Sequence, residues 1–314
     1  MNTTPGMAGV VNLGTITAAN ANTANMLVQL NYSCTHNGNT DGFVTLCFGI
    51  DGGYYDGTDR DPRYMSQGTT KNPTEPRLAF NLTHSGGSLW GTRSAGTGTE
   101  YKTSLLTIKP GDTITGSVDI KISMVGIGNT LATYGTYNND FGNGNHTALT
   151  YNANSNSGSA NCSSGGQQSN RFPFKVTARV APSCLITSTS DIALPNGPAG
   201  RTNIEGFNHS AIAVTCTKDA PYYIGLAPSN DDVNGAGVMT GTSGNNNTIP
   251  YQLRSTAGLN GNIWGNTATY PIVGNGVASQ GTGSSRSHTV YVTVPNTDVK
   301  PDTYSDTVTV HVNY

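Results

Sequence analysis

The chain ends on a run, Asp306–Tyr314 (DTVTVHVNY), in which every second residue is apolar. Val308, Val310, Val312 and Tyr314 fall on one face, and Thr307, Thr309, His311 and Asn313 on the other. Successive side chains of an extended strand point to opposite faces, so this spacing marks a strand buried on one side only. A helix would return apolar residues every three to four positions, and no stretch of useful length does so. The same period recurs in Val118–Met124, Phe174–Val180, Ala211–Cys216 and Thr289–Val294. Val44–Ile50 and Leu78–Leu82 read as strands too. Between them lie clusters such as GNGNHT and GTSGNNNT, which are turn chemistry. Glycine fills 40 of 314 positions, well above the usual ~7%. Short strands punctuated in this way predict an all-β chain built of sandwiches.

A length of 314 residues suggests two domains. Charged residues are 11% of the chain and the net charge is −2, which excludes a coiled coil and a basic nucleic-acid binder. No window approaches the roughly 18 apolar residues of a membrane span.

The two halves repeat. Val28–Cys34 (VQLNYSC) resembles Ala211–Cys216 (AIAVTC). Pro62–Met65, Leu78–Leu82 and Leu89–Gly91 match Met239, Pro250–Leu253 and Ile263–Gly265, which places the two tryptophans, Trp90 and Trp264, at equivalent points. Tyr137 matches Tyr304, and Leu149–Tyr151 matches Val312–Tyr314. A Ser/Gly/Asn/Gln-rich stretch over 155–171 separates domains expected at 1–160 and 171–314. After the first copy the chain continues into Phe174–Val180, whereas the second copy stops on its last alternating strand. A sheet edge left open exposes unpaired backbone and an apolar groove, so the second domain is expected to be one strand short. Val308, Val310, Val312, Tyr314, Phe174 and Val176 are the candidates for lining that groove.

Five cysteines include no C-x-x-C pair, and six histidines are scattered, so metal-ribbon and thioredoxin readings lack their spacing. Structural disulfides in an oxidising compartment fit better. Cys184 and Cys216 are expected to pair; Cys34, Cys47 and Cys162 leave one odd thiol. The start, MNTTPGMAGVV, has neither the charged nor the long apolar region of a signal peptide, so a secreted form is expected to have lost it already.

Catalysis needs converging titratable groups, and no G-x-S-x-G, H-E-x-x-H or S-x-x-K motif is present. No enzymatic activity and no cofactor are expected. Asp51, Asp56, Asp59 and Asp61 cluster in DGGYYDGTDRD, but the spacing misses the EF-hand pattern and a solvated turn is favoured over a metal site. Apolar residues in Gly/Asn-rich loops are the candidates for surface contact. These are Tyr54 and Tyr55, then Met124, Val125, Ile127 and Leu131, then Met7, Val10 and Val11. The bland reading of each is core packing, and Trp90 and Trp264 read as core. A sandwich-fold lectin using Tyr54 and Tyr55 is the weakest alternative.

Several ordered motifs are similar to the spore coat U family, the subunits of archaic chaperone–usher pili. They are FPFKVTARVAPSC (Phe172–Cys184), AIAVTC, PYYIGL (Pro221–Leu226), IPYQL, WG and TYSDTVTVHVNY, with NYSC, VTLCFGI, PRYM, LWG and LTY in the first half. The resemblance implies incomplete immunoglobulin-like sandwiches completed by a donor strand from a periplasmic chaperone and then from the next pilin subunit, with export through an outer-membrane usher. It implies a tip subunit displayed outside the cell, with a distal adhesin domain at about 1–160 that meets an abiotic or host surface, and a pilin domain at about 171–314. Pro5, Gly6 and Gly9 make the N-terminus a poor donor. A shaft or coat subunit without its own binding function is the alternative.

Overall fold

The computed structural model describes residues 2–7, 9–56, 61–68, 77–92, 98–164, 166–242 and 244–314. The chain is all-β and divides into two compact units, Met1–Ala181 and Pro182–Tyr314. No helix among the described residues is long and apolar enough to cross a membrane.

In the first unit the larger sheet runs in the order Asn2–Gly6, Asn25–Thr35, Thr113–Met124, Arg77–His84, Arg63–Ser66, Gly135–Asp140, Lys175–Val180, Val10–Ile16. Its first and last strands are neighbours in sequence, joined across residues 7–9. Four residue steps span roughly 14 Å at most, so the sheet curls until its two edges approach each other. The second sheet runs Gln167–Gln168, Thr147–Asn154, Gly42–Ile50, with Tyr101–Lys102 and Leu106–Ile108 on the far side of Gly42–Ile50. Alternate residues of both sheets meet in one core, among them Leu30, Phe48, Phe80, Trp90, Ile120, Tyr137 and Leu149.

The second unit repeats the plan. One sheet has the order Cys184–Thr189, Thr202–Cys216, Ser285–Asn296, Thr248–Arg254, Ala236–Thr240; the other, among the described residues, holds Val277–Gln280, Pro221–Ala227 and Thr309–Asn313. Its core includes Ile204, Ile212, Ile224, Leu226, Tyr251, Leu253, Trp264, Val290 and Val292.

The repeat holds down to single hydrogen bonds. Both indoles are buried, and each N–H donates at 2.8 Å to a strand carbonyl, Trp90 to Phe48 and Trp264 to Ile224. A buried indole N–H needs such a partner. The glycine after each tryptophan accepts from the residue two further along the same strand, Ile50 N to Gly91 O and Leu226 N to Gly265 O. Tyr137 donates to Thr133 O and Tyr304 to Lys300 O, each four residues upstream, in the manner of a tyrosine corner. Asn138 pairs with Ser66 as Ser305 pairs with Thr240. Leu149 faces Phe48 as Val312 faces Ile224.

One expectation is corrected. Phe174 and Val176 do not line a groove of the second unit. Both are buried in the core of the first unit, because Lys175–Val180 pairs antiparallel with Gly135–Asp140 and parallel with Val10–Ile16. The unit boundary therefore falls after Ala181, beyond the polar stretch that the sequence suggested.

Candidate functional site

The difference between the two copies defines the site. In the first unit the chain turns back after Asn154 and runs along the whole open edge of Gly135–Asn154. Gln167 and Gln168 pair with Tyr151 and Thr150, Ser169 N donates to Leu149 O, Phe141 N donates to Phe174 O, and Lys175–Val180 pairs with Asp140–Gly135. Phe172, Phe174, Val176, Ala178 and Val180 from this returning segment are all buried. In the second unit the equivalent edge is 302–314, and among the described residues no strand covers its outer side.

Behind that edge lies an apolar groove of about 810 Å³. Its floor is Ile212, Leu226, Ile249, Leu253, Val290 and Val292, all core residues. One wall is Val308 and Val310, which are half-buried against the core. Val312 packs on the same core, while Tyr314 is largely exposed. The opposite wall is the segment from Thr189 to Arg201.

The rim on the terminal-strand side is fixed by polar contacts. Asp302 accepts from Thr242 Oγ1 and N, from Asn245 Nδ2 and from Thr303 N, and these bonds, led by the Thr242 hydroxyl, hold its carboxyl well below the usual range. Tyr251 donates to Asp306 at 2.6 Å, and burial together with that carboxylate pushes its hydroxyl pKa upward. The Cys184–Cys216 disulfide ties the first strand of the unit to its long neighbour. A second bridge joins Cys47 to Cys162 and leaves Cys34 as the buried free thiol.

The loop candidates for surface contact separate by burial. Tyr54 is 41% exposed and Leu131 48%, but Tyr55 is 4% and Met124 2% exposed, so these last two are core residues. Met124 is the last inward-facing residue of a long strand, and Tyr55 packs its ring edge against Tyr54 from inside. Val125 is intermediate, and the Ile127 side chain lies outside the described residues. In the third segment Val10 is 59% exposed, Met7 packs on the core and Val11 is buried. The loop after Met124 leads into Gly135, which pairs with Val180, so it sits at the end of the first unit from which the chain departs.

Two buried asparagines, which carry no distinguishing pattern in the sequence, pin these loops. Asn129 donates to Ala21 O, Ala79 O and Val125 O and accepts from Ala79 N. Asn139 donates to Gly52 O and Tyr64 O and accepts from Tyr54 N. Gly53, at φ +79°, leaves room for the Asn139 amide where any Cβ would collide with it. Replacing Asn139 by alanine strands these buried partners and should cost about 3 kcal/mol in denaturant unfolding of the first unit. A cost below about 1 kcal/mol would mean that the loop is held by other contacts.

Among the described residues no group of His, Cys, Asp or Glu is placed to hold a metal ion. Asp51 instead accepts from Gly53 N and lies 3.0 Å from His146 Nδ1, and Asp61 accepts from Asn81; Asp59 lies outside the described residues.

Residues 170–311 match the family model of the Spore Coat Protein U domain. The match begins before the second unit and takes in Lys175–Val180, the strand that closes the first one. The whole chain is similar in structure to the CsuC–CsuE chaperone–tip adhesion subunit pre-assembly complex from the archaic chaperone–usher Csu pili of Acinetobacter baumannii. The TM-score is 0.52 and the identity 13%, over 99% of this chain and 100% of that one, which shows a shared fold. The CupB6 tip adhesin from Pseudomonas aeruginosa matches at TM-score 0.32 and 10% identity over 99% and 97% of the two chains. No curated protein sequence matches the chain.

Proposed function

We propose that the chain is a chaperone–usher pilus subunit, displayed outside the cell after passage through the periplasm. Its Spore Coat Protein U domain receives a β-strand first from a periplasmic chaperone and then from the next pilin subunit. The carrying observation is the uncovered edge 302–314 over an apolar groove, at the place where the first unit holds its own Lys175–Val180. A strand added there pairs its main chain with the edge and sends alternate side chains into the groove.

A tip position is supported by how the leader of the second unit is used. Residues 167–180, which precede that unit, are spent in closing the first one rather than being free for another subunit. Immunogold labelling of pili should mark the ends only. Labelling along the shaft would establish the alternative, a repeating structural subunit.

The first unit then carries the contact with a surface, which makes the chain an adhesin in attachment and biofilm formation. Tyr54 and Val10 are the exposed candidates, and Leu131 is disfavoured by its place at the departing end of the unit. Each apolar residue contributes about 25 cal/mol per Å² removed from water, and many pili multiply a weak contact. Tyr54→Ser combined with Val10→Ser should lower cell attachment to polystyrene several-fold at unchanged pilus number. Unchanged attachment would move the contact surface elsewhere.

A further inference from the structure

The wall of the groove opposite the terminal strand is the segment 190–200, and its counterpart in the first unit behaves differently. There Val10–Ile16 follows the first strand, as 190–200 follows Cys184–Thr189, and it pairs in parallel with Lys175–Val180. In the second unit no such partner strand is present among the described residues. Ser190 N donates to Ala211 O and Gly200 N to Thr297 O, and among the described residues nothing between them makes a backbone–backbone hydrogen bond. The sequence DIALPNGPA explains part of this, since Pro195 and Pro198 have no N–H to give.

What holds the segment down is two side chains. Ile192 and Leu194, spaced by two, are half-buried against the core that the groove opens onto. Leu194 lies over Gly206 of the long strand, where a Cβ would come within 2.7 Å of Leu194 Cδ2. Beyond these, among the described residues, there are only side-chain bonds to its carbonyls, from Asn208 to Asp191 O and from Arg201 to Pro195 O and Asn196 O. A segment with two apolar anchors and no backbone ladder is at the low-stability end of a structure.

We propose that residues 190–200 form a two-state strap, resting on the donor-strand reading above. In the free chain Ile192 and Leu194 occupy part of the groove. When a donor strand enters, the strap lifts, releases these side chains and becomes the parallel edge partner of the donor, as Val10–Ile16 is for Lys175–Val180. The two copies thus display the filled and the empty arrangement in one chain. The strap shields core residues before assembly and sets the barrier to donor entry.

The test uses the full chain and a synthetic peptide copying residues 171–181, RFPFKVTARVA, because that sequence fills the equivalent place in the first unit. Association is followed by peptide fluorescence anisotropy for three proteins: the unaltered chain, the double variant Ile192→Ser with Leu194→Ser, and Gly206→Ala, which takes away the seat of Leu194 and leaves the residues of the strap unchanged. Both variants should bind about tenfold faster, the change expected when the closed state, in which the strap fills the groove, loses about 1.4 kcal/mol of self-contact. Hydrogen exchange should show the amides of 191–194 unprotected in the free chain and protected with peptide bound. Equal rates in all three proteins overturn the strap and leave the donor-strand reading standing. Faster binding with 191–194 still unprotected overturns the pairing role. Binding to none of the three overturns both, since the groove then accepts no strand of this pattern.

Discussion

A chain extended beyond Tyr314 by a copy of residues 152–181, with Cys162→Ser in the copy, should melt about 15–25 °C higher in its second unit than the unextended chain. The extension follows from the repeat. Tyr314 stands where Tyr151 stands in the first unit, and residues 152–181 are what the first unit uses to turn back and cover its own edge. Five side chains of the copy, matching Phe172, Phe174, Val176, Ala178 and Val180, are buried in their native setting. At about 2 kcal/mol for each large one, burial contributes roughly 8 kcal/mol beyond the alanine. New ladder hydrogen bonds add to this, and ordering the appended backbone takes back a large part. A net gain of about 5 kcal/mol corresponds to the stated shift for a unit of this size. The control is an extension of identical composition with the alternation scrambled. It keeps the length and charge but cannot place apolar residues on one face, so it should leave the transition where it was. Equal melting of the two extended chains would mean that the groove is not a strand site, and the proposed assembly mechanism would fall with it.

Much of this architecture could be read from the residues because its signals are local or periodic. Period-two runs identified the strands, and each of the matched pairs Trp90/Trp264, Tyr137/Tyr304 and Leu149/Val312 occupies equivalent hydrogen bonds or register positions. The Cys184–Cys216 pair was legible for the same reason, since both ends lie at strand termini close in sequence. Phe174–Val180 shows the limit. Its alternation announces a strand with one apolar face, but alternation carries no information about which sheet will take that face. Strand pairing is decided by partners far away in sequence, and here the partner lies on the N-terminal side of the polar stretch. The Cys47–Cys162 bridge, across 115 residues, was hidden by the same non-locality. Tyr55 and Met124 are contact candidates in the sequence with core packing as the other reading, and their burial decides for the core; loop composition does not tell which way a side chain at a strand end turns. Asn129 and Asn139 gave no signal at all, since a buried asparagine that anchors a loop is indistinguishable in sequence from the many that sit in turns. Arg63 is a similar case. It is fully buried and donates to the carbonyls of Asp51 and Trp90, although arginine is a poor guess for a core residue.

The odd thiol becomes explicable once the two copies are laid on each other, and it yields the second large effect. Cys34 faces Thr3 across the edge of the large sheet, in the same place where Cys216 faces Cys184. The first copy therefore has one half of the bridge that the second copy has whole. Substituting Thr3→Cys should close it. Such a bridge would enclose a loop nearly as long as the 32-residue separation of Cys184 and Cys216, and by loop entropy a bridge of that length is worth about 3–4 kcal/mol. For the first unit that is a rise of about 10 °C in melting temperature. Burial raises the pKa of the Cys34 thiol and slows its spontaneous oxidation, so the variant should be made in an oxidising compartment or refolded with a disulfide exchange buffer. Thiol titration of the denatured protein separates the outcomes: the unaltered chain should give about one free thiol and the variant none. Two free thiols with an unchanged melting point would show that the N-terminal strand does not hold the register in which Thr3 meets Cys34. That register also brings Gly6 to Asn31, and so fixes the short 7–9 connection that curls the sheet from one edge to the other. A bridged and stabilised variant would therefore establish the register of the N-terminal strand against Asn25–Thr35, on which the curled closure of the first unit depends.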